Sequence, residues 1–109
     1  MFPVKQRVPR EIFKKVMTDG ERFSSGLFLL KRLENGLEYG RFGIVVPKKV
    51  AKLSVSRHEI KRWICASIKE NLSMFGNYDY VFSALPYIAD QDFKKINEEL
   101  KKFRFNENL

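Results

Sequence analysis

Apolar positions recur along this chain with two periods, and each period marks an element. Ile12, Phe13, Val16 and Met17 fall at helical spacing behind Pro9, which suits a first turn, and Gly20 supplies a stop. The spacing predicts a short helix over about 9–19. Residues 1–8 ahead of it are polar and basic and read as a loose arm. Phe23 to Ser25 reads as a short strand or an irregular edge. The run Leu27 to Leu33 is an apolar strand that turns amphipathic at its end. Asn35-Gly36 is a hairpin turn signal because both residues tolerate positive φ. Tyr39 to Val46 is then expected to return as the partner strand, with Gly40 and Gly43 at a bulge or a close backbone approach, and Pro47 ends it.

The second half repeats the alternation of periods. Ser54 or Ser56 can cap a helix, and Ser56-Arg57-His58-Glu59 matches a capping box in which Glu59 reaches back to the first amide. Ile60, Ile64, Ile68 and Leu72, with Trp63 beside them, form the stripe that should be buried. Lys61, Arg62 and Lys69 project from the other side, with His58 and Cys65 among them. A turn at Phe75-Gly76-Asn77 leads into the strand Tyr78 to Ala84, which Pro86 ends. Asp90 is expected to cap a last helix with Phe93, Ile96, Leu100 and Phe103 on its core face. The order α, two or three β, α, β, α makes this an α+β sandwich, one small sheet with helices largely on one side.

Length and charge narrow the function. The 109 residues make one domain, 1–109, and 21 Lys+Arg against 13 Asp+Glu leave a formal charge of +8. That excess attracts polyanions. It is concentrated from Lys48 to Arg62, where six basic residues and one acid follow the apolar run Gly43-Ile44-Val45-Val46. A basic turn that leaves a strand and enters a helix holds phosphates well, because the helix start offers free N–H groups and the positive end of a dipole. The single Cys65 can form neither an internal disulfide nor a metal site alone, which fits a reducing compartment. No stretch reaches signal-peptide or transmembrane length, so a cytoplasmic protein away from membranes is expected.

The anchor residues Arg41-Phe42-Gly43-Ile44-Val45-Val46-Pro47-Lys48-Lys49-Val50, followed by Arg57-His58-Glu59-Ile60-Lys61-Arg62, are similar to those of a known family. Phe13-Lys14-Lys15-Val16 ahead of Gly20, the strand Phe28-Leu29-Leu30, and Asp79-Tyr80-Val81 before Ala84 and Pro86 agree with it in order and spacing. Over nearly its whole length the chain resembles the protein subunit of bacterial ribonuclease P. The resemblance implies an αβββαβα fold with a left-handed βαβ crossover around the basic helix, where the general rule would give a right-handed one. It departs from the family pattern at His58 and Glu59, which stand in the middle and last places of an R-N-R signature. Cys65 stands where the family often has Arg, and Met17 and Lys31 stand where it commonly has aromatics.

By this resemblance Lys48, Lys49, Lys52, Arg57, His58, Lys61 and Arg62 dock onto the catalytic RNA, with the Arg57 and Arg62 guanidinium forks matched to phosphate oxygens and base edges. Phe13, Met17, Leu29, Lys31 and Val45 would line a cleft for the single-stranded 5′ leader of precursor tRNA, where stacking and a basic groove bind with little base preference. In that cleft Lys31 would exchange stacking for phosphate attraction. Phe13 and Met17 could equally close the core. Glu59 reads as a capping residue rather than a metal ligand. The chain is thus expected to be the protein subunit of an RNA-based endoribonuclease that removes the 5′ leader from precursor tRNA. Its partners would be the ribonuclease P catalytic RNA and precursor tRNA, and no obligatory protein partner is evident. No catalytic side chain and no metal site are expected in the protein. Cleavage would come from the RNA subunit with Mg2+, held mainly by that RNA. Two other classes stay open: an RNA-binding module of the same fold without a nuclease partner, for example ribosome-associated, and a stand-alone metal-dependent nuclease.

Overall fold

Tyr78 to Ala84 is the strand around which the rest is arranged. Asp79, Tyr80, Val81, Phe82 and Ala84 are all buried, a run that demands cover on both faces and paired strands on both edges. The computed structural model describes residues 2–103 and Phe105. In order they form α1 (Arg10–Asp19), β1 (Glu21–Ser24), β2 (Phe28–Glu34), β3 (Arg41–Val45), α2 (Ser54–Glu70), β4 (Tyr78–Ala84) and α3 (Phe93–Leu100). Short 3-10 turns occupy Val4–Gln6, Leu72–Met74 and Pro86–Asp90. The four strands make one mixed sheet in the order β1-β2-β4-β3. β4 runs antiparallel to β2 and parallel to β3, and α2 makes the crossover between β3 and β4.

This order corrects the expected hairpin. Gly36 does turn with a φ of 70°, and Asn35 Oδ1 accepts from Leu37 N at 2.8 Å, but β2 and β3 are not paired. β4 lies between them because it is buried on both faces, and two edges of backbone pairing keep its amides satisfied. The antiparallel neighbour that β2 gains from the chain before it is β1, joined through Ser25-Gly26.

Register sorts the side chains to two faces. Phe28, Leu30, Phe42, Tyr80, Phe82 and Ala84 face α2 and α3, and they form one core with Ile60, Ile64, Ile68, Ile96 and Leu100. Truncating one of its large aromatics to Ala would cost about 3–5 kcal/mol. At one end of this face the buried Arg32 guanidinium pairs with Glu21 and lies over the Tyr78 and Phe105 rings, 4.0 and 4.7 Å from their centroids. The other face carries α1, whose Val16 and the Val81 beneath it are fully buried.

Five further expectations change. The N-terminal arm is packed: Phe2 is buried and stacked on Phe42 at 5.0 Å, and Val8 N donates to Phe42 O. α2 starts at Ser54 with Leu53 as its N-cap, so Ser56 and Glu59 lie inside the helix and no capping box forms. Cys65 is buried in the core, not on the basic side. Leu72 falls beyond α2 and is exposed, because the helix ends where Asn71 N turns back to Ser67 O and Ile68 O. α3 is capped by Asp92, which accepts from Lys95 N at 3.0 Å, while Asp90 ends the preceding 3-10 turn.

Candidate nucleic-acid interface

The basic junction is built by anchoring apolar residues and leaving the cations between them outside. Val46 and Val50 are buried at either end of the turn after β3, and Val50 N donates to Pro47 O at 3.0 Å. Lys48 and Lys49 sit between these anchors and are exposed, as is Lys52 beyond them. Arg57 has a structural task in addition to the one expected. Its Nη1 donates to Ala51 O at 3.0 Å and to Lys52 O at 2.7 Å, so half of the fork holds the loop in place. The charge still stands at the junction, but the freer guanidinium is that of Arg62, exposed one turn after His58. His58 and Arg62 line a shallow recess of ≈ 480 Å3 with Ser54, Val55 and Glu59. Lys61 does not line it and is only partly exposed toward the flank of α2. No side chain caps the start of α2, so its first amides remain available to an anion.

The second zone lies on the α1 face of the sheet. Register places Arg22, Lys31, Val81 and Gly43 in one row across the four strands, and Ser24, Leu29, Ser83 and Val45 in the next. Phe13 of α1 stands directly on Gly43: a Cβ there would lie 2.5 Å from Phe13 Cε2. Glycine is required so that the ring can reach the sheet. Met17 is half-buried, and its carbonyl accepts from Lys31 Nζ at 2.5 Å. Lys31 therefore fastens the end of α1 to β2 with one of its three N–H donors. Leu29 and Val45 lie one row beyond, half-buried, with Ser83 between them. All five sequence-predicted cleft residues thus fall on one side of the molecule. Ser83, Ser24 and the exposed Arg22 were missed, although strand alternation from Tyr80 and Phe82 would have placed Ser83 there.

One end of this face is fixed by charge. Arg41 grips Asp79 through two parallel bonds of 2.7 Å, and Asn35 Nδ2 adds a third to the same carboxylate at 3.1 Å. The hydrogen bond to Asp79 holds the Arg41 pKa above its ordinary value against partial desolvation. The pair locks β3 to β4. At the opposite end of β3, Val45 leads through Pro47 into Lys48 and Lys49, so this face of the sheet and the basic junction adjoin.

Among the described residues no group of three or more His, Cys, Asp or Glu could hold a metal ion, and no helix is long and apolar enough to cross a membrane.

Comparison with known proteins gives a consistent set. The family model described as Ribonuclease P matches residues 2–106. The ribonuclease P protein component of Caldanaerobacter subterraneus subsp. tengcongensis is 34% identical over 91 residues, covering 83% of this chain and 78% of that protein. That of Pseudanabaena sp. is 33% identical over 104 residues, covering 93% and 90%. Among solved structures, the RNase P protein from Thermotoga maritima superposes with a TM-score of 0.80 at 25% identity, covering 87% of this chain and 91% of that one. The Staphylococcus aureus RNase P protein shares the fold, with a TM-score of 0.81 at 24% identity over 88% and 89% of the two chains.

Proposed function

The chain belongs to the ribonuclease P protein family, and from that membership we propose that, as the protein component of this endoribonuclease, it guides precursor tRNA to a catalytic RNA. The RNA subunit cleaves the 5′ leader with Mg2+ held mainly by RNA, and the protein contributes position and charge. Lys48, Lys49, Lys52, His58 and Arg62 dock on the catalytic RNA, with Arg57 holding their loop and Lys61 at the flank. Phe13, Met17, Leu29 and Val45 border the leader groove, whose width Lys31 sets by tying α1 to β2. Repulsion between the two RNAs is screened where groove and basic junction adjoin, which favours metal binding near the scissile phosphate. The protein acts in the cytoplasm, a compartment that suits its single free thiol.

The observation that carries this reading is the meeting of two surfaces at the end of β3: a cationic loop beside the helix start, and the α1 face of the sheet, where Leu29, Ser83 and Val45 stand in one row. A base can stack in the groove while its backbone runs toward the cations. Reconstitution with the host's ribonuclease P RNA at low Mg2+ is the test. Added protein should restore leader removal that the RNA alone performs poorly, and the protein alone should not cut. Cleavage by protein without RNA, or no stimulation of the RNA, would overturn the reading.

A further inference from the structure

A separate groove of ≈ 370 Å3 runs between the first turns of α2 and the 3-10 turn after β4, a size within the ~300–1,000 Å3 typical of small-molecule sites. Val50 and Ile60 line it from the core, Leu53 and Trp63 border it, its polar lining is Lys52, Ser56, Glu59 and Gln91, and it shares Val55 and Glu59 with the recess at Arg62. Leu53 is 69% exposed, an apolar side chain left in water at the rim. The bonds from Arg57 to Ala51 O and Lys52 O fix that rim, so the groove is preformed.

Glu59 is the residue that neither the fold nor the phosphate-binding surface explains. It caps nothing, and it makes no hydrogen bond or ion pair with any described residue, although Arg62 follows one turn on. A carboxylate beside Lys52 would repel phosphate. It would instead accept N–H or O–H groups, which an RNA held by the surrounding cations supplies from its base edges and its 2′-hydroxyls. We propose that this groove takes one unstacked guanine of the bound RNA, with the base against Trp63 and its Watson–Crick edge on Glu59. Guanine presents N1–H and the N2 amino group side by side, two donors that one carboxylate accepts together. Uracil presents a single N–H between two carbonyls, while adenine and cytosine pair their amino group with a ring acceptor. Gln91 can meet the remaining carbonyl as a donor. The cations at the rim hold the flanking phosphates, so charge selects the polyanion and the groove selects the base.

This inference rests on the reading of the chain as an RNA-binding subunit, and it can fail alone. Trp63 is the chain's single tryptophan, so its emission reports on the groove. The full chain is titrated with guanosine, adenosine, cytidine and uridine 5′-monophosphates, with inorganic phosphate as a control. The guanine nucleotide should change Trp63 emission with an affinity at least fivefold above the other three, and Glu59→Gln should remove that preference while the protein stays folded. In the complex with the catalytic RNA, Glu59→Gln should weaken binding about fivefold without lowering the salt slope, because no phosphate contact is lost. Equal responses to all four nucleotides, a response to phosphate alone, no response, or a guanine preference retained by Glu59→Gln would each overturn the proposal. A parent chain that still stimulates the catalytic RNA in those cases leaves the function standing and removes only the guanine site.

Discussion

Arg57 and Arg62 look equivalent in the sequence and differ in the structure. Arg57 Nη1 is engaged with two loop carbonyls, whereas Arg62 is exposed on the recess. Arg62→Ala should therefore leave the melting temperature unchanged, cost roughly 1–3 kcal/mol of RNA affinity and lower the salt slope. Arg57→Ala should lose both affinity and stability, the latter by roughly 1–3 kcal/mol because its bonds come from a charged group. Thermal melts with RNA titrations at several salt concentrations separate the two, and equal stability losses would remove the bracing role. The sequence could show that both residues are basic, but not which carbonyls would come within reach. Lys31 carries the same lesson. It stands where an aromatic is common, and only the placement of α1 reveals that its ammonium meets the Met17 carbonyl. Glu59 was misplaced because the helix starts earlier, at Ser54, which puts it in the interior of α2, and Cys65 because the buried stripe of α2 is wide enough to take in the residue after Ile64.

At the scale of elements, α1 depends on Gly43 for its seat. Gly43→Ala would drive a Cβ into the Phe13 ring, so the ring must move, at about 1–3 kcal/mol. The holoenzyme's preference for precursor over mature tRNA should fall with it, while affinity for the catalytic RNA stays near normal. An unchanged preference in a folded variant would take Phe13 out of the groove. α3 carries a pH-sensitive joint. Its buried Glu99 is held below the ordinary glutamate value of 4.5, chiefly by the 2.6 Å bond from Lys102, against desolvation that opposes it. A depressed carboxylate stabilises the fold above its unfolded pKa, and that contribution fades as pH falls through 4.5 and below. Acid unfolding curves should lose part of this limb in Glu99→Gln, and curves identical to the parent's would contradict the assignment. Periodicity located β2, β3, β4 and the three helices to within a few residues, whereas β1, which buries no residue, read only as a short strand or an irregular edge. It could not pair the strands. Asn35-Gly36 is a true turn, yet the most buried strand arrives more than thirty residues later and takes the place beside β2.

For the whole molecule, the charge of +8 is distributed to a purpose. The core holds α2 and α3 on one face of the sheet, while α1 packs on the other, whose Val45 end leads into the cationic loop. Composition and the run from Lys48 to Arg62 made nucleic acid legible, and the resemblance made the family legible, because both reside in local residue order. Ser24 and Arg22 were not, since their place on the α1 face is set by the β1–β2 register, whereas the alternation that buries Tyr80 and Phe82 already turns Ser83 to that face. The two surfaces are assigned different RNAs, and that division is the central claim. It is tested most directly by site-specific crosslinking, which is selective here because the native Cys65 thiol is buried. A photoreactive group attached through Val45→Cys should join to the 5′ leader of precursor tRNA in the reconstituted holoenzyme. The same group attached through Arg62→Cys should join to the catalytic RNA. Leader crosslinks from position 62, or catalytic-RNA crosslinks alone from position 45, would contradict the account.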